Sequence, residues 1–137
     1  KAAEMTAFLN PTENSYKRFG KNKAPAYVSW SRENRSQLVR IPAASGEYRR
    51  AELRSPDPTA NPYAAFSLLI YAGLYGIENS IKLPEPADFN LFNADEKTLA
   101  GFEKLPQDFA SACKIAASGD FIGEHMPSAI LDTYFGR

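Results

Sequence analysis

The chain has 137 residues, a length typical of one domain. Its 16 basic and 16 acidic residues give a formal net charge of zero, which argues against a nucleic-acid partner, because nucleic-acid binders usually carry a basic excess. Hydrophobic residues make up 44% of the sequence and aromatic residues 12%, so a disordered chain is excluded.

A short helix is predicted at the start of the chain. Apolar residues recur at helical spacing over residues 1–9, and the proline at position 11 interrupts the pattern. A polar loop with turn-forming residues is expected next, at 19–25.

Three strands are predicted after this loop. Residues 26–30 combine aromatic and β-branched side chains, and residues 37–41 alternate polar and apolar ones. The sequence Ala44-Ser45-Gly46 indicates a hairpin turn, with residues 47–53 as the returning strand.

The second half of the chain is predicted to be helical. Asn61 can cap a helix that has Pro62 at its first position, and the apolar run 62–79 is typical of a helix buried on most faces. Shorter helices are predicted at about 95–103, 106–117, 119–125 and 127–135.

The predicted fold class is therefore α+β, with short antiparallel strands and a hairpin within about 26–54, followed by helices over about 61–135. The chain has one cysteine, Cys113, which cannot form an internal disulfide. We therefore expect a cytoplasmic protein, and no membrane partner, because no uncharged run has the composition of a membrane helix.

Arginines in the first half of the chain indicate a binding site for an anion. Alternation along the third predicted strand places Arg50, Glu52 and Arg54 on one face. The planar guanidinium fork matches carboxylates and phosphates two bonds at a time, and Glu52 between two arginines would stay ionised and suit a hard metal. A ladder of cross-strand salt bridges on a solvated face is the other interpretation. One carboxylate alone cannot hold a divalent metal.

Three ordered segments resemble the C-terminal part of the catalytic domain of class I glutamine synthetase. They are Asn10–Arg18 (NPTENSYKR), Trp30–Pro42 (WSRENRSQLVRIP) and Ala51–Tyr63 (AELRSPDPTANPY). The segments Ala72–Asn79 (AGLYGIEN) and Pro84–Leu91 (PEPADFNL) extend the resemblance. It covers nearly the whole chain, 1–137, and is weaker after about residue 95.

The resemblance implies an ATP-dependent ligase that joins ammonia to the γ-carboxylate of glutamate through γ-glutamyl phosphate. It implies two divalent metals, Mg²⁺ or Mn²⁺, and a homo-oligomer of two stacked rings with active sites between neighbouring subunits. It also implies these roles: Arg18 binds glutamate, Arg54 holds its carboxylate, Arg35 stabilises the transferred phosphoryl group, Arg40 contacts the ATP phosphates, Arg50 lies along the nucleotide, and Glu52 is a metal ligand.

Two departures from the family pattern bear on function. The family's flap reads like Val-Pro-Gly-Tyr-Glu-Ala-Pro, and its glutamate takes a proton from bound ammonium. Here the segment Phe19–Pro25 is one residue shorter and has Lys23 at the place of that glutamate. Phe92 stands where some members carry a tyrosine that is adenylylated, so that regulation is expected to be absent.

The remaining reactive side chains are given structural interpretations. His125, the only histidine, is expected at the surface or at a helix end, and Cys113 is expected to pack as a small apolar residue.

Three hypotheses about function remain. The leading hypothesis is that the chain is part of a glutamine synthetase and is inactive by itself. Because a lysine in the flap would repel ammonium, a γ-glutamyl ligase for another amine is the second. A non-catalytic member of the family, with an assembly or regulatory role, is the third.

Overall fold

A computed structural model describes residues 1–21 and 23–136. Its helices are α1 (Ala2–Leu9), α2 (Glu13–Tyr16), α3 (Pro62–Glu78), α4 (Glu96–Leu99), α5 (Phe109–Ser118), α6 (Asp120–His125) and α7 (Ser128–Phe135). Its strands are β1 (Trp30–Ser31), β2 (Val39–Arg40) and β3 (Glu52–Leu53), and short 3₁₀ turns lie at Gly46–Tyr48 and Leu91–Asn93. The predicted α+β class, with strands before a helical half, is confirmed.

The three strands form one small sheet in the order β1-β2-β3. β1 runs parallel to β2, so the expectation of antiparallel pairing holds only for β2 and β3. In that antiparallel pair, Arg40 lies opposite Glu52 and Val39 opposite Leu53.

The strands are much shorter than the sequence pattern predicts. β2 and β3 form the predicted antiparallel hairpin, but no tight turn at 44–46 joins them. Residues 41–51 instead form a long connection that contains the 3₁₀ turn, and Gly46 adopts a left-handed φ of 61° there. The polar residues of this connection are exposed and contribute no buried face to hold a longer ladder. Within the predicted first strand, Tyr27 makes only an isolated bridge to Lys104.

The core of the described chain forms around α1. Phe8 is fully buried and packs against Tyr134 and Phe135 of α7, with ring centroids 4.5 and 5.8 Å apart. Phe121 and Ile122 of α6 are also buried in this core. The N-terminal helix and the C-terminal helices, far apart in sequence, therefore form one hydrophobic unit.

Helix α3 has nearly the predicted bounds. The Asn61 side chain accepts hydrogen bonds from the amides of Tyr63 (3.0 Å) and Ala64 (3.3 Å), and Pro62 occupies the first turn. The prediction of burial on most faces is wrong for this chain alone, because the buried residues of α3 are Ala64, Ala65 and Leu68. None of the helices in the described residues is long and apolar enough to span a membrane.

Candidate functional site

Four arginines and one glutamate meet at the end of the sheet, and we call them the arginine cluster: Arg35, Arg40, Arg50, Arg54 and Glu52. The β2–β3 register places Arg40 directly opposite Glu52. The residue spacing along β3 brings Arg50 and Arg54 to the same region, as the alternation predicted. The structure thus brings together five of the six residues that the resemblance implies, all except Arg18.

Glu52 is held by two of these arginines. Arg40 Nη1 donates to Glu52 Oε2 at 2.6 Å, and Arg50 Nη2 donates to Oε1 at 3.3 Å. The hydrogen bond from Arg40 is the main cause that lowers the pKa of Glu52. The Arg50 side chain is 56% exposed, so its ion pair is a weak surface contact compared with the shorter one to Arg40.

Arg54 carries unused hydrogen-bonding capacity. Its Nη1 is buried and has no hydrogen-bond partner in the part of the chain that is described. Burial lowers the pKa of Arg54, and the positive charges of Arg35 and Arg40 lower it further. A buried guanidinium donor beside two like charges would be stabilised by an anion, so this end of the cluster suits a carboxylate or phosphate.

Arg18 lies in a separate network beside the cluster. Its Nη2 donates to Asn10 Oδ1 at 2.6 Å and to the carbonyl oxygen of Ser55. Its Nε is 3.8 Å from Asp57 Oδ2, an ion-pair distance that is too long for a hydrogen bond. Since Ser55 directly follows Arg54, Arg18 anchors the backbone that leads out of the cluster.

The residues present do not by themselves make a metal site. Glu52 is the only acidic member of the arginine cluster, and both its oxygens are paired with arginines. Residues 1–21 and 23–136 contain no group of three or more His, Cys, Asp or Glu side chains placed to hold a metal ion. A divalent metal bound by Glu52 would need its other ligands from outside this chain.

A cleft of about 480 Å³ opens beside Arg50 and Arg49. Its apolar wall consists of Ile41, Pro42, Ala44 and Ala51. The sequence motifs did not indicate this wall, because it arises only when the 41–51 connection folds back beside the strand. Asn10 and Asp57, the partners of Arg18, were also missed, because neither strand alternation nor helical spacing links them to Arg18.

The two departures from the family pattern both lie at the surface. Lys23 is exposed, has a left-handed φ of 64°, and forms no ion pair with the described residues. The loop around it is closed by a hydrogen bond from the Gly20 amide to the Ala24 carbonyl at 2.9 Å. Phe92 is exposed in the turn Leu91–Asn93.

The structural interpretations of His125 and Cys113 are confirmed. His125 is the last residue of α6 and stacks on Tyr71, with centroids 4.2 Å apart and ring planes 8° apart. Cys113 packs against the core, and burial raises the pKa of its thiol, so a thiolate nucleophile is disfavoured.

Comparison with protein families gives one match over almost the whole chain. Residues 1–136 match the family described as glutamine synthetase, catalytic domain. The glutamine synthetase of Methanosarcina mazei is 43% identical over 134 residues, and that of Methanocaldococcus jannaschii is 38% identical over 136 residues. These matches cover 96% and 97% of this chain but only 30% of each relative, so the chain spans less than a third of their length.

Two solved structures also match almost the whole chain. The GmaS/ADP complex in conformation 1 is similar with a TM-score of 0.82 and 29% sequence identity, over 98% of this chain and 32% of that one. Apo GmaS without ligand gives a TM-score of 0.79 and 31% identity, over 98% of this chain and 30% of that one.

Proposed function

Since the chain belongs to the glutamine synthetase catalytic-domain family, we propose that residues 1–137 are the C-terminal portion of such a domain. The complete protein would be a cytoplasmic glutamate–ammonia ligase that uses ATP and forms glutamine through γ-glutamyl phosphate. It would assemble as a homo-oligomer of stacked rings. The observation that carries the proposal is the arginine cluster, in which Arg40 and Arg50 pair with Glu52 while the positive charges of Arg35 and Arg40 act on Arg54.

The excess of positive charge in the cluster fits a reaction among anions. Arg54, with its unused buried donor, would hold a carboxylate of glutamate, and Arg35 beside it would stabilise the transferred phosphoryl group. Arg40 and Arg50 would contact ATP, whose phosphates would compete with Glu52 for the same donors. The GmaS/ADP complex, a structure of the same fold, contains a nucleotide product of this type.

Arg18 would serve the glutamate site from the neighbouring network. Its bonds to Asn10 and Ser55 fix the chain that follows Arg54, and its buried Nε has no hydrogen-bond partner in the described residues. This proposal gives Arg18 both the binding role that the resemblance implies and the anchoring contacts that its own atoms make.

Glu52 would contribute one carboxylate to a site for Mg²⁺ or Mn²⁺, with its other ligands outside this chain. Such a metal neutralises charge on the phosphates during phosphoryl transfer. The chain's own contribution is to hold Glu52 ionised through Arg40, because a protonated carboxyl would be a poor ligand.

A γ-glutamyl ligase for another amine is the alternative that one observation favours. Lys23 places an exposed positive charge in the loop that corresponds to the family's flap, without a carboxylate paired to it in the described chain. A lysine at this place would oppose the approach of ammonium by charge repulsion.

The test is an assay of the complete protein for ATP-dependent glutamine formation from glutamate and ammonium. Arg54→Ala should raise the KM for glutamate or lower kcat/KM by roughly 10–100-fold, the effect of losing a charge-assisted hydrogen bond to substrate. Arg49→Ala is the matched control, since Arg49 is exposed and outside the cluster.

Product from another amine and none from ammonium would support the alternative. No product with any amine and no ATP binding would indicate a non-catalytic protein.

A further inference from the structure

The side-chain amide of Gln37 belongs to a buried hydrogen-bond network next to the arginine cluster. Gln37 is fully buried, and in the sequence it stands between Arg35 and Arg40. Its Nε2 donates to the carbonyl oxygens of Ala87 and Phe89, both at 2.8 Å. Because carbonyl oxygens only accept hydrogen bonds, these two contacts fix the orientation of the amide and use both of its N–H groups.

The other end of this amide carries an energetic cost. Gln37 Oε1 is buried and has no hydrogen-bond partner among the described residues, and an unpaired buried acceptor is unfavourable. An apolar side chain of similar size would avoid that cost, but it would leave two main-chain carbonyls without these donors. The contribution of the amide is therefore its connection to residues 87–89.

The segment that accepts these hydrogen bonds is also held by β1. We call residues 84–91 the bracing segment. The Trp30 side chain donates from Nε1 to the Pro84 carbonyl at 2.8 Å, and the Ala87 amide donates to the Trp30 carbonyl at 2.8 Å. The bracing segment is thus fixed to the sheet by bonds that do not involve Gln37, so it can support that side chain.

The loop that carries Arg35 is tied to the same segment. Arg35 is exposed, whereas Ser36 next to it is buried. Ser36 Oγ accepts from the Leu91 amide at 2.9 Å and donates to Asn34 Oδ1 at 2.8 Å. The Asn34 amide donates to Ser31 Oγ at 2.9 Å. The residues on both sides of Arg35 are therefore held in place, and the bracing segment is one of their supports.

The residue after Gln37 connects this network to Arg54. The Leu38 carbonyl accepts from the Arg54 amide at 2.9 Å, which places Arg54 beside the start of β2. We propose that Gln37 is a positioning residue: by binding the bracing segment, it holds the loop of Arg35 in place relative to Arg54. This inference rests on the proposed function, in which Arg35 acts on the transferred phosphoryl group and Arg54 on glutamate.

The test is steady-state kinetics of the complete protein with Gln37→Leu, which removes both donors and keeps a buried side chain of similar size. Loss of an interaction made only in the transition state lowers kcat without raising KM. We therefore expect kcat for glutamine formation to fall about tenfold, with KM for ATP and glutamate changed less than about twofold. Gln107→Leu is the matched control and should change neither constant, because Gln107 is exposed and donates to the nearby Leu105 carbonyl.

A second variant and a double-mutant cycle separate positioning from a general loss of structure. Ser36→Ala removes the other tie to the bracing segment and should give the same kinetic pattern. It decides the question by the same measurements if Gln37→Leu does not fold, which circular dichroism shows. In an Arg35→Ala background, Gln37→Leu should lower kcat by less than about a further twofold, because no guanidinium remains to be positioned.

Hydrogen exchange followed by mass spectrometry gives a readout that does not need turnover. Gln37→Leu should speed exchange in residues 34–40 and 87–91 by about tenfold and leave residues 2–9 of α1 unchanged, because only the first two segments lose a support. A wild type that forms no glutamine would refute the proposed function, and the exchange rates would still decide whether Gln37 fixes the loop of Arg35.

Three outcomes would overturn the inference. One is a kcat within about twofold of the wild type in both Gln37→Leu and Ser36→Ala. Another is a fall in kcat that is equally large in the Arg35→Ala background, since that would show a general structural role for Gln37. The third is an unchanged exchange rate of residues 34–40 in Gln37→Leu.

Discussion

At the scale of single residues, Arg18 and Arg54 differ in what their guanidinium groups already bind. Arg18 donates from Nη2 to Asn10 and to the carbonyl of Ser55, while its buried Nε has no hydrogen-bond partner in the described residues. Arg54 has a buried Nη1 with no acceptor in the described residues, and its charge lies near those of Arg35 and Arg40. Asp57 already lies 3.8 Å from Arg18 as a counter-charge, whereas the main charges acting on Arg54 are positive, so Arg54 is the one of the two whose environment more strongly favours an anionic ligand.

The ionisation of Glu52 provides a prediction at the same scale. Arg40 holds the pKa of Glu52 below its ordinary value of 4.5. A depressed carboxyl pKa stabilises the fold above the ordinary value, and this contribution is lost as the pH falls below 4.5 through the lower folded-state pKa.

We expect Arg40→Ala to move the titration midpoint of Glu52 upwards, towards 4.5, because the stronger of its two hydrogen bonds is removed. The measurement is the pH dependence of the Glu52 carboxyl carbon shift by NMR. Arg49→Ala should leave the midpoint in place. An unchanged midpoint in Arg40→Ala would show that the ion pair across β2 and β3 is not formed in solution.

At the scale of elements, α3 shows how local signals can fix where a helix lies. Its start is set by Asn61 and Pro62, whose effects act within one turn of helix. Its end follows at Glu78, where the apolar run stops. The strands differ because a strand is stabilised by its neighbours, and residues 47–51 lack a buried face against which to pair.

Asn61→Ala should destabilise the chain by about 1 kcal/mol, because two amides at the start of α3 lose their side-chain acceptor. Urea unfolding followed by circular dichroism measures this loss. Asn61→Ser should restore most of the stability, since serine is also a good capping residue. Equal stability of Asn61→Ala and the wild type would mean that water satisfies these amides as well as the side chain does.

At the scale of the whole molecule, the arginine cluster does not by itself provide the metal-dependent catalytic site that we propose. It gathers positive charge, but Glu52 is its only carboxylate, and no three-ligand metal group occurs within residues 1–21 and 23–136. Elsewhere in the described chain, the sheet has only three short strands, and α3 exposes large apolar side chains such as Tyr63 and Ile77.

We therefore expect chain 1–137 alone to form no glutamine from glutamate, ammonium and ATP, even with excess Mg²⁺. A coupled assay of ADP release, with the complete protein as positive control, measures this. Turnover that persists in the pure chain and disappears in Arg54→Ala would contradict the expectation, because it would mean that one carboxylate suffices for the metal-dependent chemistry.

The sequence by itself determined the family resemblance, the α+β class, the approximate positions of the described helices other than α2, and the shared face of Arg50, Glu52 and Arg54. These features depend on ordered motifs, on helical spacing and on alternation along a strand, all of which are local. Only the tertiary structure decided the parallel pairing of β1 with β2, the two-residue length of the strands and the network of Arg18 with Asn10, Ser55 and Asp57. These features join separate segments of the chain, and whether they form depends on which surfaces the core leaves available.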